Sequence, residues 1–173
     1  DHRDLPSFPT RRSSDLLAAI RAAMADTPHA ALEDIARRTG ATPLSVLDAL
    51  PEGEVTSFPG TLLPEVMEDI TGWGEITFIV NTPTVILEVK APLGHGEIGK
   101  GMFNLHDKVI GGHICYQDCD RVAFVRRRLF GMKTRSVQFY ARDGSCMFKI
   151  YLGRDETRAL KADQIAAMDA LEA

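Results

Sequence analysis

After Gly74 the chain changes period. Before it, apolar residues recur at three- and four-residue intervals; beyond it they alternate, and turn residues fill the gaps between alternating runs. Strands are expected at Glu75–Asn81, Thr84–Ala91, Met102–Leu105, Val109–Tyr116, Arg121–Arg127, Thr134–Ala141 and Ser145–Leu152. Thr82-Pro83, His106-Asp107-Lys108, Asp118 to Asp120 and Arg142-Asp143-Gly144 supply the turns between them. Connections this short join consecutive strands as antiparallel neighbours.

The first part of the chain reads as helices. Leu16–Ala25 is Ala-rich; Leu32, Ile35 and Ala36 share one helical face, with Gly40 as the stop. Thr42 is an N-cap with Pro43 in the first helical position, Leu44, Val46, Leu47 and Leu50 form the apolar side, and Pro51 ends the segment. A fourth helix is expected over Leu62–Thr71 and a last one over Lys161–Leu171. The fold class is α+β: N-terminal helices, a large curved antiparallel sheet of about seven or more strands, and a C-terminal helix. A chain of 173 residues fits one domain, divided here as 17–173, with 17–72 helical and 74–173 sheet plus closing helix. Residues 1–16 stand apart, because Ser7–Leu16 reads as the translation of a sequencing adapter and not as a protein start.

The sheet has two unlike faces. Cys146, Phe148 and Ile150 make an apolar row, as do Val137 and Phe139; Met147, Lys149 and Tyr151, with Ser136, Gln138 and Tyr140, make a mixed one. The apolar face is expected to pack helices. The mixed face suits a ligand floor, a dimer interface or solvent.

Several function classes fit poorly. A net charge of −4 lacks the cationic face that nucleic-acid binding needs, and no apolar run approaches the roughly 20 residues of a membrane span, so neither partner is expected. The pair Leu32–Gly40 and Thr42–Leu50 has helix-turn-helix proportions, which makes a DNA-binding regulator a reading to weigh. Its second helix, however, offers Leu44, Ser45, Val46, Leu47 and Asp48 where a reader of bases needs Arg, Lys, Asn or Gln, so packing is the expected role. Cys115, Cys119 and Cys146 show neither a disulfide framework nor zinc spacing, and three unpaired cysteines suit a reducing cytoplasm. Arg126-Arg127-Arg128 reads as a solvated strand end and, more remotely, as an anion clamp. Gly94–Gly101 lacks the strand-to-helix setting of a phosphate loop and reads as a mobile flap.

Three stretches carry more specific information: Met102-Phe103-Asn104-Leu105, Gly111-Gly112-His113-Ile114, and Gly144-Ser145-Cys146-Met147-Phe148-Lys149-Ile150-Tyr151-Leu152-Gly153-Arg154-Asp155. In this order and spacing they resemble the bacterial intracellular haem-utilisation carriers of the HutX/ChuX type, over roughly residues 27–172. The resemblance implies a cytoplasmic haem-binding carrier, not an enzyme, that takes up b-type haem and delivers it to a haem-degrading enzyme. It also implies a homodimer formed through the sheets. The fold further resembles half of the larger haem-degrading proteins, so haem breakdown with an external electron donor is the alternative.

A porphyrin needs apolar walls, an iron ligand and donors for its propionates. Under the resemblance, Met102, Phe103 and Leu105 are candidate walls; His113, Tyr116 or Met102 are candidate iron ligands; Lys100 and Lys108 are candidate propionate partners. His113 is preferred, because Gly112-His113-Ile114 matches the family's Gly-His-aliphatic run. Strand parity sets Tyr116 opposite His113 unless a bulge intervenes. Two departures bear on ligation: Met102 stands where the family often has Tyr, and Asn81 where some members have His. On residue character alone, His113 is a strand histidine beside glycines that serve a bulge.

Overall fold

The computed structural model describes residues 13–173. The adapter-like stretch therefore lies mostly outside the described residues, and its last four, Ser13–Leu16, already belong to a helix.

Helices α1 (Ser13–Asp26), α2 (Leu32–Thr39) and α3 (Pro43–Asp48) come first. Gly40 closes α2 at φ 72°, a left-handed stop that glycine adopts without steric cost. Thr42 caps α3, its hydroxyl accepting from the Ser45 backbone N–H. Strand β1 (Val55–Pro59) and helix α4 (Leu63–Ile70) precede β2 (Glu75–Asn81) and β3 (Ile86–Pro92). Then follow β4 (Gly96–Gly99), β5 (Met102–His106), β6 (Gly111–Ile114), β7 (Cys119–Leu129), β8 (Met132–Ala141), β9 (Cys146–Tyr151) and α5 (Ala162–Glu172).

These strands divide between two antiparallel sheets. The larger runs β1-β7-β8-β9-β2-β3 and the smaller β4-β5-β6. Strands β1 and β4 go beyond the sequence expectation. Strand β1 is a short edge ending in Pro59, which has no N–H for a further ladder bond. Strand β4 is hidden in the glycine run read as a flap: Gly96 pairs with Leu105, and a Cβ on it would sit 2.1 Å from the Phe103 ring.

Both faces of the large sheet are covered. On one, Val137, Phe139, Phe148 and Ile150 pack with Leu63, Met67 and Ile70 of α4, Met168 of α5, and Phe103 and Leu105 of the small sheet. Gln164 of α5, fully buried, donates to the Trp73 and Glu75 carbonyls (both 2.8 Å) and accepts from Gly153 N–H at 2.6 Å, fixing the closing helix by its polar atoms. On the other face, Ile20, Leu32, Ile35, Val46 and Leu47 of α1–α3 pack on Ala123, Val125 and Tyr140. Ser136, Gln138 and Tyr140 of the mixed face therefore lie beneath the first helices, whereas Lys149 and Tyr151 line a cavity of about 410 Å³ beside α2.

Burying that mixed face requires its polar groups to find partners. Tyr140 OH donates to Gln138 Oε1 at 2.5 Å, and Gln138 Nε2 donates to Ser136 Oγ at 3.0 Å. Lys149 Nζ lies 2.6 Å from Glu33 Oε1 of α2, the two side chains being 6% and 10% exposed. Burial pushes the Lys149 pKa down, but the acidic groups of Tyr151, Cys146 and Glu33 outweigh it and the net direction is upward.

One assignment to the apolar row is corrected. The register passes from Phe139 opposite Phe148 to Tyr140 opposite Cys146, leaving Met147 as an extra residue on β9. Cys146 consequently packs with the helices around Tyr140, whereas Met147 joins Phe148 on the opposite side.

Candidate functional site

Between the two sheets lies a pocket of about 300 Å³. Its wall on the large sheet comes from Phe78 and Val80 of β2 and Met147 and Phe148 of β9. Alternation along β2 sends Phe78 and Val80 to this side, and the bulge brings Met147 beside Phe148. The wall is rigid: Phe148 stacks on Phe139 with ring centroids 4.3 Å apart and on Phe78 at 5.0 Å.

The opposite side of the pocket is β6 with its flanks: Ile110, Gly111, Gly112, His113, Ile114 and Cys115. Asp107 aims this strand, its Oδ1 accepting from the N–H groups of Val109 (2.7 Å) and Ile110 (3.3 Å). That turn explains why β6 begins at Gly111, later than the sequence pattern suggests. A Cβ on Gly111 would sit 2.7 Å from the Asp107 carbonyl oxygen, so the turn and the strand fit together only without a side chain there. Gly112 has φ 148° and open space where a Cβ would point. Strand β6 pairs with β5 alone, leaving its other edge unpaired within the small sheet.

His113 is exposed at the pocket rim and stands opposite Asn104 in the β5–β6 register. Its Nδ1 lies 2.6 Å from Asn104 Oδ1. Asn104 Nδ2 in turn donates to the carbonyl oxygens of Glu97 (3.1 Å) and Gly99 (3.0 Å), with that of Met102 at 3.4 Å.

The other sequence candidates are placed elsewhere. Met102, half-buried, lies on the same β5 face as Asn104, and its sulfur accepts from the Cys115 thiol at 3.7 Å. Phe103 is 3% exposed in the core, its ring against Gly96. Tyr116 opens a 3-10 turn after β6, so strand parity no longer applies to it; it is half-buried and its hydroxyl accepts from Gln117 Nε2 at 3.3 Å. Lys100 is exposed in the β4–β5 turn at φ 52°, and Lys108 precedes β6, so the two flank opposite ends of the small sheet's central strand. Of the candidate walls and ligands in the sequence, Leu105 and His113 line the pocket. Phe78, Val80, Met147 and Phe148 were legible only as alternating apolar residues, because their convergence depends on the sheet order and the bulge.

The remaining charged features have structural partners. Arg126 is paired with Glu172 and Asp169, Arg127 donates to the Ala30 (2.7 Å) and Pro28 (3.0 Å) carbonyls, and Arg128 donates to Gly131 at 3.0 Å. This run therefore fastens β7 to α5 and to the α1–α2 connection; it is not merely a solvated edge. His95 pairs with Glu68 at 2.9 Å outside the pocket, and Arg121 pairs with Asp48 at the end of α3. Among the described residues, no cluster of three or more His, Cys, Asp or Glu side chains is arranged to hold a metal ion, and no helix is long and apolar enough to cross a membrane.

Two sheets clasping an apolar slot, with one imidazole at its rim, define an α+β ligand-binding domain. Comparison with known proteins makes this specific. Residues 56–171 match the family described as haem utilisation ChuX/HutX, and the chain belongs to that family. The intracellular heme transport protein HutX of Vibrio cholerae serotype O1 is 33% identical over 140 residues, which are 80% of this chain and 72% of that protein. The structure of the heme binding protein ChuX superposes with a TM-score of 0.79 at 34% identity, covering 91% of this chain and 96% of that one. At the level of fold alone, ChuS, an Escherichia coli heme oxygenase, has a TM-score of 0.71 at 14% identity; the match covers 99% of this chain and 52% of ChuS.

Proposed function

We propose that this protein is a haem carrier of the cell interior, holding haem at the two-sheet pocket with the His113 imidazole as iron ligand and passing it on intact. The observation that carries the reading is the position of His113: it is the imidazole at the rim of an apolar slot whose far wall is a stacked aromatic row. At about 300 Å³ the slot lies at the low end of ligand clefts, which run from about 300 to 1,000 Å³. Such a slot takes one edge of a planar tetrapyrrole and leaves the rest accessible. That arrangement suits release, because a cargo held by one imidazole and a partial wall leaves faster than one enclosed and doubly ligated.

Family membership supports haem as the cargo, and we extend it to non-covalently held b-type haem and to a haem-degrading protein as the acceptor. A homodimer is part of the same proposal. Val85, Ile86 and Leu87, at 57%, 65% and 57% exposure along the outer edge of the large sheet, are the apolar residues best placed to meet a second copy.

Hemin titration of the purified protein tests the reading. A Soret band shifted from that of free hemin, and altered in His113→Ala, is the expected result; no shift in the native protein overturns it. Adding ascorbate or a reductase to the complex separates carrier from degrader, since a carrier keeps its Soret band.

A further inference from the structure

We infer that Asn104 fixes the protonation pattern of His113, so that Nδ1 carries the proton and Nε2 presents its lone pair to iron. The functional half of this inference rests on His113 as the iron ligand; the structural half stands on hydrogen-bond geometry. Asn104 Nδ2 lies 3.1, 3.0 and 3.4 Å from the carbonyl oxygens of Glu97, Gly99 and Met102. An amide oxygen in that position would face three carbonyl oxygens with no proton between them, so the NH2 end is fixed there. The other end, Oδ1, is 2.6 Å from His113 Nδ1 and has no proton to give. The bond therefore requires Nδ1–H as donor, and in the neutral ring the lone pair is then on Nε2, the nitrogen farther from the backbone.

Metal-binding histidines are commonly held through their second nitrogen, and removing the holder costs about ten- to a hundredfold in affinity. Here the holder is a neutral amide. A carboxylate would raise the basicity of the ring and tighten the iron bond, whereas an amide oxygen fixes orientation with less of that gain. The carbonyls that orient Asn104 belong to the β4–β5 hairpin. The Gly94–Gly101 run thus braces the ligand through Asn104, a role its glycine content conceals.

Two measurements test this. Nitrogen-15 NMR of the imidazole rings in the ligand-free protein, at a pH where His113 is neutral, is expected to show the Nδ1–H form dominant. In Asn104→Leu it is expected to shift toward the Nε2–H form. Haem release into excess apo-globin is expected to be about tenfold faster in Asn104→Leu than in the native protein. Unchanged tautomer and release rate in a folded Asn104→Leu overturn the proposal, while an altered Soret band in His113→Ala keeps the iron-ligand reading standing. If His113→Ala leaves the spectrum unaltered, the functional half falls with that reading. Should Asn104→Leu not fold, the native protein decides: a dominant Nε2–H form there overturns the proposal.

Discussion

Phe148 and His113 line one pocket from opposite sheets and differ in almost every physical respect. Phe148 is 4% exposed, stacked against two other rings and embedded in the larger core. His113 is exposed on a four-residue strand and is held by Asn104. The large sheet owes its order to packing, and it offers the ligand a fixed apolar surface. The small sheet adds backbone pairing and a few polar bonds to the core packing of Phe103 and Leu105, and it carries the exposed imidazole. The rigid apolar wall and the exposed imidazole thus belong to different sheets, so a change in one need not disturb the other.

That division can be broken by experiment. The largest expected effect lies on the far face of the large sheet, where Lys149→Met leaves Glu33 buried without its cation. Loss of one partner from a buried pair costs about 3–5 kcal/mol, and a double variant with Glu33→Leu recovers most of it. Urea unfolding measures both; a single-variant loss below about 1 kcal/mol would show that the pair does not organise this face. Phe148→Ala comes next, with an expected loss of about 3–4 kcal/mol from the cavity left among Phe78 and Phe139. If it costs as little as a surface substitution, the rigid-wall description is wrong.

Thiol chemistry sharpens the contrast at a smaller scale. Cys115 is exposed at the pocket rim, whereas burial pushes the Cys119 thiol up to about 11 and that of Cys146 up to about 12. Near neutral pH the two raised thiols hold little thiolate and are less accessible than the exposed Cys115, so Cys115 is expected to be labelled by a maleimide first. Mass spectrometry of briefly labelled protein reads the order, and labelling of Cys146 ahead of Cys115 contradicts the placement. The smallest effect concerns stability in His113→Ala, expected to stay within about 0.5 kcal/mol of the native protein, as for an ordinary surface change. The same variant is expected to change the haem spectrum. An equal loss of folding stability would show that the small sheet is not separable in this way.

Much of the fold was written in local pattern. The stop at Gly40, the cap at Thr42 and the full extent of Glu75–Asn81 follow from short-range chemistry, and the structure carries them unchanged. The division of strands between two sheets did not, because partner choice is a long-range matter that alternation leaves open. Nor did strand β4, since glycine lowers every strand signal while the reason for Gly96 is the distant ring of Phe103. Within the site, His113 was legible from its glycine neighbours and the family resemblance. Asn104 stood in the same quoted stretch without an assigned role, because its importance lies in a bond across the β5–β6 register. The mixed face misled for a related reason: Ser136, Gln138 and Lys149 look solvent-facing until their partners, among them Glu33 on α2, are seen.

The additional residue at Met147 has a consequence for how this protein can change over time. Cys146 before it and Lys149 after it end on the same side of β9 despite being three apart. A deletion of one codon there would slide Cys146 toward the cargo or drag the ammonium of Lys149 out of its salt link. Point substitutions can tune the slot gradually, but its length is locked by a count of residues.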